Sequence, residues 1–309
     1  MNNIICVVGP TASGKTRLSV ALCRCYGGEV LSCDSMQLYR GMDIGTAKPT
    51  AEEMQGVPHH MIGCVEPGEN FSAGRYVAMA DPILQDILSR GRLAVVTGGT
   101  GLYADSLIAG RSFAPLPATG KREELQAQVR REGIGPVLAL LRRVDPERAA
   151  RLHENDEKRI LRAAEVYLET GKTITEHDRE TRAQPPKYRP LWLGLTFRDR
   201  QDLYDRIDRR VDDMVAAGLF EEVERLLDAG LRPDCTALQA IGYKEPMQAL
   251  RGEITRAEAV EAIKRESRRY AKRQLTWFRR NRAIHWLELP RDPDFDEVIR
   301  AACALAEES

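Results

Sequence analysis

No stretch of this 309-residue chain approaches the roughly 20 consecutive apolar residues that a membrane-spanning helix needs, so no membrane partner is expected. The apolar start Ile4–Val8 is too short for the core of a signal peptide and runs straight into Gly9-Pro10. The seven cysteines (6, 23, 25, 33, 64, 235 and 303) are odd in number and contain no C-x-x-C pair. That argues against a disulfide framework or a zinc site and for a reduced, cytoplasmic setting. Net charge is absent too, with 46 basic and 46 acidic residues, so affinity for a polyanion cannot come from overall charge. There is no internal repeat and no low-complexity tract, which excludes a solenoid. Hydrophobic residues at 43% and charged residues at 30% describe a folded chain. The length suits one large domain, or one with an inserted subdomain.

The neutral total conceals an uneven distribution. Residues 1–110 hold 8 Lys/Arg and 10 Asp/Glu, whereas residues 256–282 hold 10 Lys/Arg and 3 Asp/Glu. In the segment Lys264–Arg282, Tyr270, Trp277 and Phe278 interleave with the basic residues. This fits a face that binds nucleic-acid phosphates and stacks bases, and equally a solvated helix whose aromatics belong to the core.

Hydrophobic patterning predicts an α/β fold. Ile4–Val8, Glu29–Ser32, Leu93–Thr97, Leu191–Leu195 and Ile284–Glu288 read as buried strands. Amphipathic helices are predicted at Thr16–Cys25, from a Ser72 cap toward Arg90 with Pro82 as a kink or break, at Asp199–Ala217, Leu219–Ala229, Thr255–Arg280 and 294–306. Gln239–Glu245 reads as a loop. Strand–helix alternation makes a parallel sheet flanked by helices the expected architecture. Between the Pro-rich stretches Phe113–Gly120 and Pro185-Pro186 the chain is Leu/Ala/Arg/Glu-rich without strand signals. This predicts an inserted all-helical subdomain over 116–188, dividing a core of 1–115 and 189–309.

The strongest chemical signal is Gly9-Pro10-Thr11-Ala12-Ser13-Gly14-Lys15-Thr16, which fits G-x-x-x-x-G-K-[ST] between a strand and a helix. Its backbone N–H groups can curl around phosphate oxygens, Lys15 adds a point charge, and the Thr16 hydroxyl can ligate Mg²⁺. The motif specifies a polyphosphate without saying which one. Asp34 closes the second strand, where an open α/β sheet places its ligand; it could hold a metal-bound water, accept a proton, or cap a turn. Thr100 sits at the corresponding end of the third strand and could meet phosphate or cap a helix. Arg206 and Arg210 share one helix face and could clamp a diphosphate, or pair with the aspartates at 202, 205, 208, 212 and 213. His59-His60, His153 and His177 lack metal-ligand companions.

These motifs, with Asp34-Ser35-Met36-Gln37…Lys48-Pro49, Gly98-Gly99-Thr100-Gly101-Leu102-Tyr103, His153…Arg162, Gln239…Glu245 and Ala271…Arg279, resemble the tRNA dimethylallyltransferases along nearly the whole chain. The P-loop is shared by many families; the blocks at 34–49 and 272–279 are far more specific. One departure is Arg162-Ala163-Ala164-Glu165, where the family pattern has leucine at the third place. The chain also lacks the Cys/His zinc extension of eukaryotic members, which resembles a bacterial form.

The resemblance implies a P-loop NTPase-like fold. It implies transfer of a dimethylallyl group from its diphosphate to N6 of adenosine 37, beside the tRNA anticodon, with Mg²⁺ as cofactor and a monomeric enzyme. Lys15, Thr16 and Arg210 would hold the leaving diphosphate, Asp34 would take the N6 proton, and Thr100 would position the diphosphate or base. It further implies tRNA contacts at Asp34, Ser35, Met36, Gln37 and Thr100, at Arg122, at Lys158, Arg159, Ile160, Leu161 and Arg162, and at Ala240, Ile241, Gly242, Tyr243, Lys244 and Glu245. A P-loop small-molecule kinase and an RNA-binding module with a phosphate-sensing loop are the alternatives. A kinase concentrates arginines in a short lid, whereas here they spread over the insertion and the C-terminal helix.

Overall fold

A computed structural model describes residues 3–111, 113 and 119–308; the Pro-rich hinge expected at Phe113–Gly120 lies largely outside them. The chain begins with β1 (Ile4–Val8), α1 (Lys15–Tyr26), β2 (Glu29–Ser32), the single turn α2 (Ala51–Met54), β3 (His59–His60), α3 (Ala73–Ser89), β4 (Ala94–Gly98) and α4 (Gly101–Ala109). Five helices follow: α5 (Lys121–Glu132), α6 (Gly135–Val144), α7 (Pro146–Ala149), α8 (Glu157–Thr170) and α9 (Ile174–Ala183). The chain then runs β5 (Leu191–Phe197), α10 (Arg200–Ala216), α11 (Leu219–Asp228), α12 (Lys244–Leu250), α13 (Arg256–Phe278), β6 (Ile284–Leu289) and α14 (Phe295–Glu307). These divide into two compact units, Met1–Gly110 with Lys187–Ser309, and Arg111–Pro186.

The first unit is a parallel six-stranded sheet in the order β3-β2-β4-β1-β5-β6. β1 is fully buried near its centre. Its side chains alternate as a pleated strand requires: Ile4, Cys6 and Val8 enter one apolar cluster, Ile5 and Val7 the other. Both faces are therefore covered, which is why the strands read as continuous apolar runs. Cys6, Cys23 and Cys33 pack as small hydrophobes, and every described cysteine is free. The register pairs Val8 with Gly98 and Ser32 with Thr97. The carboxyl ends of β2, β4 and β1 thus emerge side by side.

The second unit packs its helices around Leu125, Val137, Leu138, Leu141, Ile160, Leu161 and Ala164. Ala164 is fully buried, so the departure from the family pattern is a packing matter. Among the described residues no helix is long and apolar enough to cross a membrane.

Two local readings need correction. Pro82 neither breaks nor ends α3, which runs unbroken from its Ser72 cap. Tyr76, Ala80, Leu84 and Ile87 bury one face, while Pro82 lies exposed on the other, where water can serve the carbonyl that loses its donor. The expected loop through Glu245 instead enters α12 at Lys244.

Glu29, at the amino end of β2 and 3% exposed, holds the opposite edge of the sheet. Its carboxylate accepts from Arg90 (2.5 and 3.0 Å), Arg92 (2.9 Å) and His60 Nε2 (2.8 Å), so the two histidines that begin as unexplained are edge-strand residues, one of them pairing a buried acid. The Arg90 bond above all, with the His60 and Arg92 bonds and against the cost of burial, pulls the Glu29 pKa from 4.5 down to about 2. A depressed carboxylate contributes stability that is complete above the unfolded value and fades as pH falls toward the folded one. The shift alone is worth at most about 3 kcal/mol, and arginines 39% and 48% exposed reduce this to about 1–2 kcal/mol. Glu29→Gln should therefore lower stability by about 1–2 kcal/mol at pH 7, and the gap should shrink as pH drops below about 4.5. Denaturant melts across pH check this; a gap independent of pH would contradict it.

Candidate active site

The phosphate loop follows directly from β1. Gly9 has φ 144°, and a Cβ there would lie 2.5 Å from the Leu195 carbonyl oxygen, so the close approach of β5 demands glycine. Ala12 (φ 62°) and Gly14 (φ 89°) take left-handed backbone, the alternation that turns successive N–H groups into an anion-binding nest at the start of α1. The Pro10 carbonyl is shared by Lys15 Nζ at 2.6 Å and Ser13 Oγ at 2.8 Å. Burial lowers the Lys15 pKa from 10.5 to about 8, the Arg210 charge adding to the effect and Asp34 opposing it.

The alternatives for Arg206 and Arg210 resolve clearly. Four of the five aspartates of α10 are engaged elsewhere, Asp208 with Arg268, Asp212 with Lys264, and Asp202 and Asp205 with Arg291, and the fifth, Asp213, is exposed. Arg206 Nε instead donates to the Ala12 carbonyl (3.3 Å), and Arg210 donates to Thr11 Oγ1 (3.4 Å) and the Ala47 carbonyl (3.5 Å). Burial lowers the Arg210 pKa against the pull of Asp34. Lys15, Arg206 and Arg210 gather cationic charge at one loop, an arrangement that rewards a polyanion.

Asp34 stands at the end of β2. Its Oδ1 accepts from Met36 N–H (2.9 Å) and Gln37 N–H (3.4 Å), an Asx turn that fixes the carboxylate. The Asp34 charge is felt by Lys15, Arg210 and Tyr270. Between the ends of β2 and β1 lies the turn after β4. Thr100 Oγ1 accepts from Ser35 N–H (2.9 Å) and donates to Ser35 Oγ (3.1 Å), and the Tyr270 phenol lies beside Thr100. Burial, aided by the Asp34 charge, pushes the Tyr270 pKa up to about 12. Gln37 Nε2 donates to the Thr46 and Ala47 carbonyls (3.3 and 3.1 Å), tying the segment after Asp34 to the carbonyl that Arg210 reaches.

Sequence reasoning missed Gln274. It is 4% exposed and joins Thr11 N–H to the Gly99 carbonyl. Its neighbour Trp277 donates to Asp105 (2.8 Å) and lies against Gly101, where a Cβ would overlap the indole. The signal available was the spacing 270, 274, 277, one helix face of otherwise misplaced polar and aromatic residues among arginines. Phe278 is core, 1% exposed, whereas Lys272, Arg273, Arg279, Arg280 and Arg282 are exposed.

Several residues expected to touch RNA are turned inward. Ile160 and Leu161 are 0% and 2% exposed in the core of the helical unit, so their side chains form its packing. Tyr243 is fully buried; its hydroxyl donates to Glu222 (2.6 Å), whose carboxylate also accepts the N–H groups of Asp43, Ile44 and Gly45. Glu245 is buried and accepts from Gly242 N–H, and burial raises its pKa. Tyr243 and Glu245 thus brace their turn from inside. Lys158, Arg159, Arg162 and Lys244 stay exposed, Ala240 and Ile241 partly so, and Gly242 is buried. Arg122 and Arg162 converge on Glu165 at 3.1 and 3.0 Å.

A nest at the start of α1, three cations and a strand-end carboxylate form a P-loop-like arrangement suited to a phosphate group. Comparison with known proteins gives the family. The family model described as IPP transferase matches residues 37–281, and that described as isopentenyl transferase matches residues 2–62. The chain is 48% identical over 297 residues to a protein named tRNA dimethylallyltransferase from Halalkalibacterium halodurans, covering 96% of this chain and 94% of the relative. Against a protein of the same name from Acetivibrio thermocellus it is 42% identical, covering 97% and 96%. The crystal structure of the tRNA isopentenylpyrophosphate transferase from Bacillus halodurans is similar with a TM-score of 0.73 at 44% identity, over 100% of this chain and 98% of that one. A eukaryotic dimethylallyltransferase acting on tRNA gives 0.80 at 27% identity, over 99% and 79%. The chain belongs to the IPP transferase family.

The lowered Lys15 pKa has a measurable consequence. An alkyl diphosphate is fully ionised above about pH 7, its last ionisation lying near 6 as in other phosphate esters. Above about 8 the ligand-free lysine loses its proton, and binding must restore it. Affinity for an alkyl diphosphate should be flat between about pH 7 and 8 and fall toward tenfold per unit above that, as about one proton is taken up on binding. Calorimetry across pH tests this with Lys15→Met, which should bind weakly and without that slope. An identical slope in the variant would assign the titration to another group.

Proposed function

We propose that this chain transfers a dimethylallyl group from dimethylallyl diphosphate to N6 of adenosine 37 in the tRNA anticodon loop. The observation that carries this reading is the single rim formed by the phosphate loop, the Gly99–Thr100 turn and Asp34, with Arg206 and Arg210 aimed at the loop rather than at their own helix's aspartates. The names and near-complete coverage of the relatives support it.

In this reading Gly9–Thr16 and Lys15 hold the diphosphate, and Arg210 steadies the charge that grows on it as the allylic C–O bond breaks. The exocyclic amine of adenine is a weak nucleophile because its lone pair is delocalised into the ring. Asp34 accepts the N6 proton as the new C–N bond forms, and Thr100 holds the adjoining turn in place. Adenine 37 leaves its stack to reach the rim, at a cost of about a few kcal/mol. The exposed cations of α13, together with Arg122, Lys158, Arg159 and Arg162 of the helical unit and Lys244 beside α12, bind tRNA phosphates. We read the protein as a cytoplasmic monomer.

Among the described residues no group of three or more His, Cys, Asp or Glu is placed to hold a metal. The chemistry of the donors still fits Mg²⁺, which takes few protein ligands when a substrate supplies phosphate oxygens; here Thr16, half-exposed in the first turn of α1, is the donor. When bound, the ion would neutralise charge on the departing diphosphate.

The direct test mixes protein, unmodified tRNA and labelled dimethylallyl diphosphate without ATP; label in tRNA is expected, and its absence would overturn the reading. Asp34→Asn keeps the shape but cannot accept a proton. It should lower the single-turnover rate by at least about 100-fold with little change in diphosphate affinity. A near-normal rate would remove Asp34 from the base role. Arg268 is tied to Asp208, so the salt-dependent binding should come from the exposed side of the same segment. Replacing Arg273, Arg279 and Arg280 with alanine should weaken tRNA binding and flatten log K against log salt, by up to about 0.7–0.9 for each phosphate no longer neutralised. An unchanged slope would return this face to the role of a solvated surface.

A further inference from the structure

One peptide unit stands at the centre of the phosphate loop. The Pro10–Thr11 peptide offers its carbonyl to Lys15 Nζ and Ser13 Oγ, and its N–H to Gln274 Oε1 at 2.9 Å. The next side chain along, Thr11 Oγ1, accepts from Arg210. Gln274 arrives from α13, more than 260 positions away in sequence, and its other amide atom, Nε2, donates to the Gly99 carbonyl at 3.0 Å. The partners fix the amide's orientation, since a backbone N–H only donates and a backbone carbonyl only accepts. Gly99 has no Cβ, and one there would overlap the Gln274 amide.

We propose that Gln274 is the positioning residue for Lys15: by clamping Thr11 N–H and the Gly99 carbonyl it orients the Pro10–Thr11 peptide, and that peptide's oxygen sets where the Lys15 ammonium meets the diphosphate. The inference rests on the reading of the loop as the diphosphate site. A peptide plane turns as a rigid unit, so a grip on its N–H is a grip on its oxygen. Among side chains, glutamine alone presents one acceptor and two donor hydrogens at this reach; asparagine is a methylene short, and ionised glutamate cannot donate. The same residue spans the ends of β4 and β1, so the turn beside Asp34 and the loop that holds Lys15 keep a set separation.

The test uses the full-length protein and inorganic diphosphate as probe, with dimethylallyl transfer as second readout. Wild type must bind the probe; if it does not, the diphosphate reading of the loop fails, and the proposal with it. Given that binding, Gln274→Ala should weaken it about tenfold or more, the usual range for unpairing buried hydrogen-bonding groups. Affinity for tRNA should stay within about twofold, since the hydrogen bonds removed face the phosphate loop. Gln274→Glu supplies the discriminating measurement. At neutral pH its carboxylate cannot donate to the Gly99 carbonyl, and binding should be as poor as in the alanine variant. As pH falls and the introduced carboxyl takes up a proton, it regains glutamine's pattern of one donor and one acceptor. Diphosphate affinity should then recover toward wild type, while the alanine variant stays weak. Recovery in the glutamate variant alone supports the clamp. Wild-type affinity in both variants, or a parallel loss of diphosphate and tRNA binding with no recovery on acidification, would overturn it. Should the alanine variant fail to fold, the pH profile of Gln274→Glu alone decides.

Discussion

The arrangement on which everything else depends is the lateral order of three strand ends. β4 lies between β2 and β1, so the turn after it separates the Asp34 carboxylate from the phosphate loop by the width of a strand on each side. Parallel pairing makes all three carboxyl ends open on the same edge of the sheet, and glycines at 9 and 98 admit neighbouring backbone, and at 99 the Gln274 amide, where a Cβ would collide. The Asp34 carboxylate and the phosphate loop are thereby held two strand spacings apart, roughly 10 Å, by the hydrogen-bonded sheet and by the Gln274 amide that joins the turns after β4 and β1. In the proposed reaction, such preorganisation would let a weak nucleophile and a charged leaving group be served together.

Charge is handled with the same economy. The helix α10 carries arginines and aspartates in alternation, and in isolation they would neutralise one another. The structure pairs Asp202, Asp205, Asp208 and Asp212 with Arg291, Arg268 and Lys264, away from the loop, and turns Arg206 and Arg210 toward it. A cationic pocket results in a chain whose net charge is zero.

Most of the sheet was legible in the sequence because buried parallel strands and capped amphipathic helices have strong local signals: Glu29–Ser32 matches β2 residue for residue, and Ser72 caps α3 as read. The P-loop and Asp34 were legible because a short motif carries its own context. What escaped depends on contacts distant in sequence. No local pattern announces that Gln274 faces Thr11, that Tyr243 serves Glu222 instead of RNA, or that Ile160 and Leu161 face a core rather than a ligand. A family motif marks residues that matter without distinguishing those that touch the ligand from those that brace them. The Pro82 error has a related cause: whether a helix survives proline depends on which side of it water reaches.

The first loop of the chain is finished by its last elements. Phe295, which opens α14, fills the space beside Gly14 that a side chain would need, and Gln274 holds Thr11. During synthesis, then, the residues of the phosphate loop leave the ribosome long before the partners that shape them. A nascent chain shorter than about 295 residues carries the motif but not the finished cradle, and loop closure over such a separation is slow compared with local helix formation. The shape of the phosphate loop thus depends on side chains of α13 and α14 that lie more than 250 positions later in the sequence.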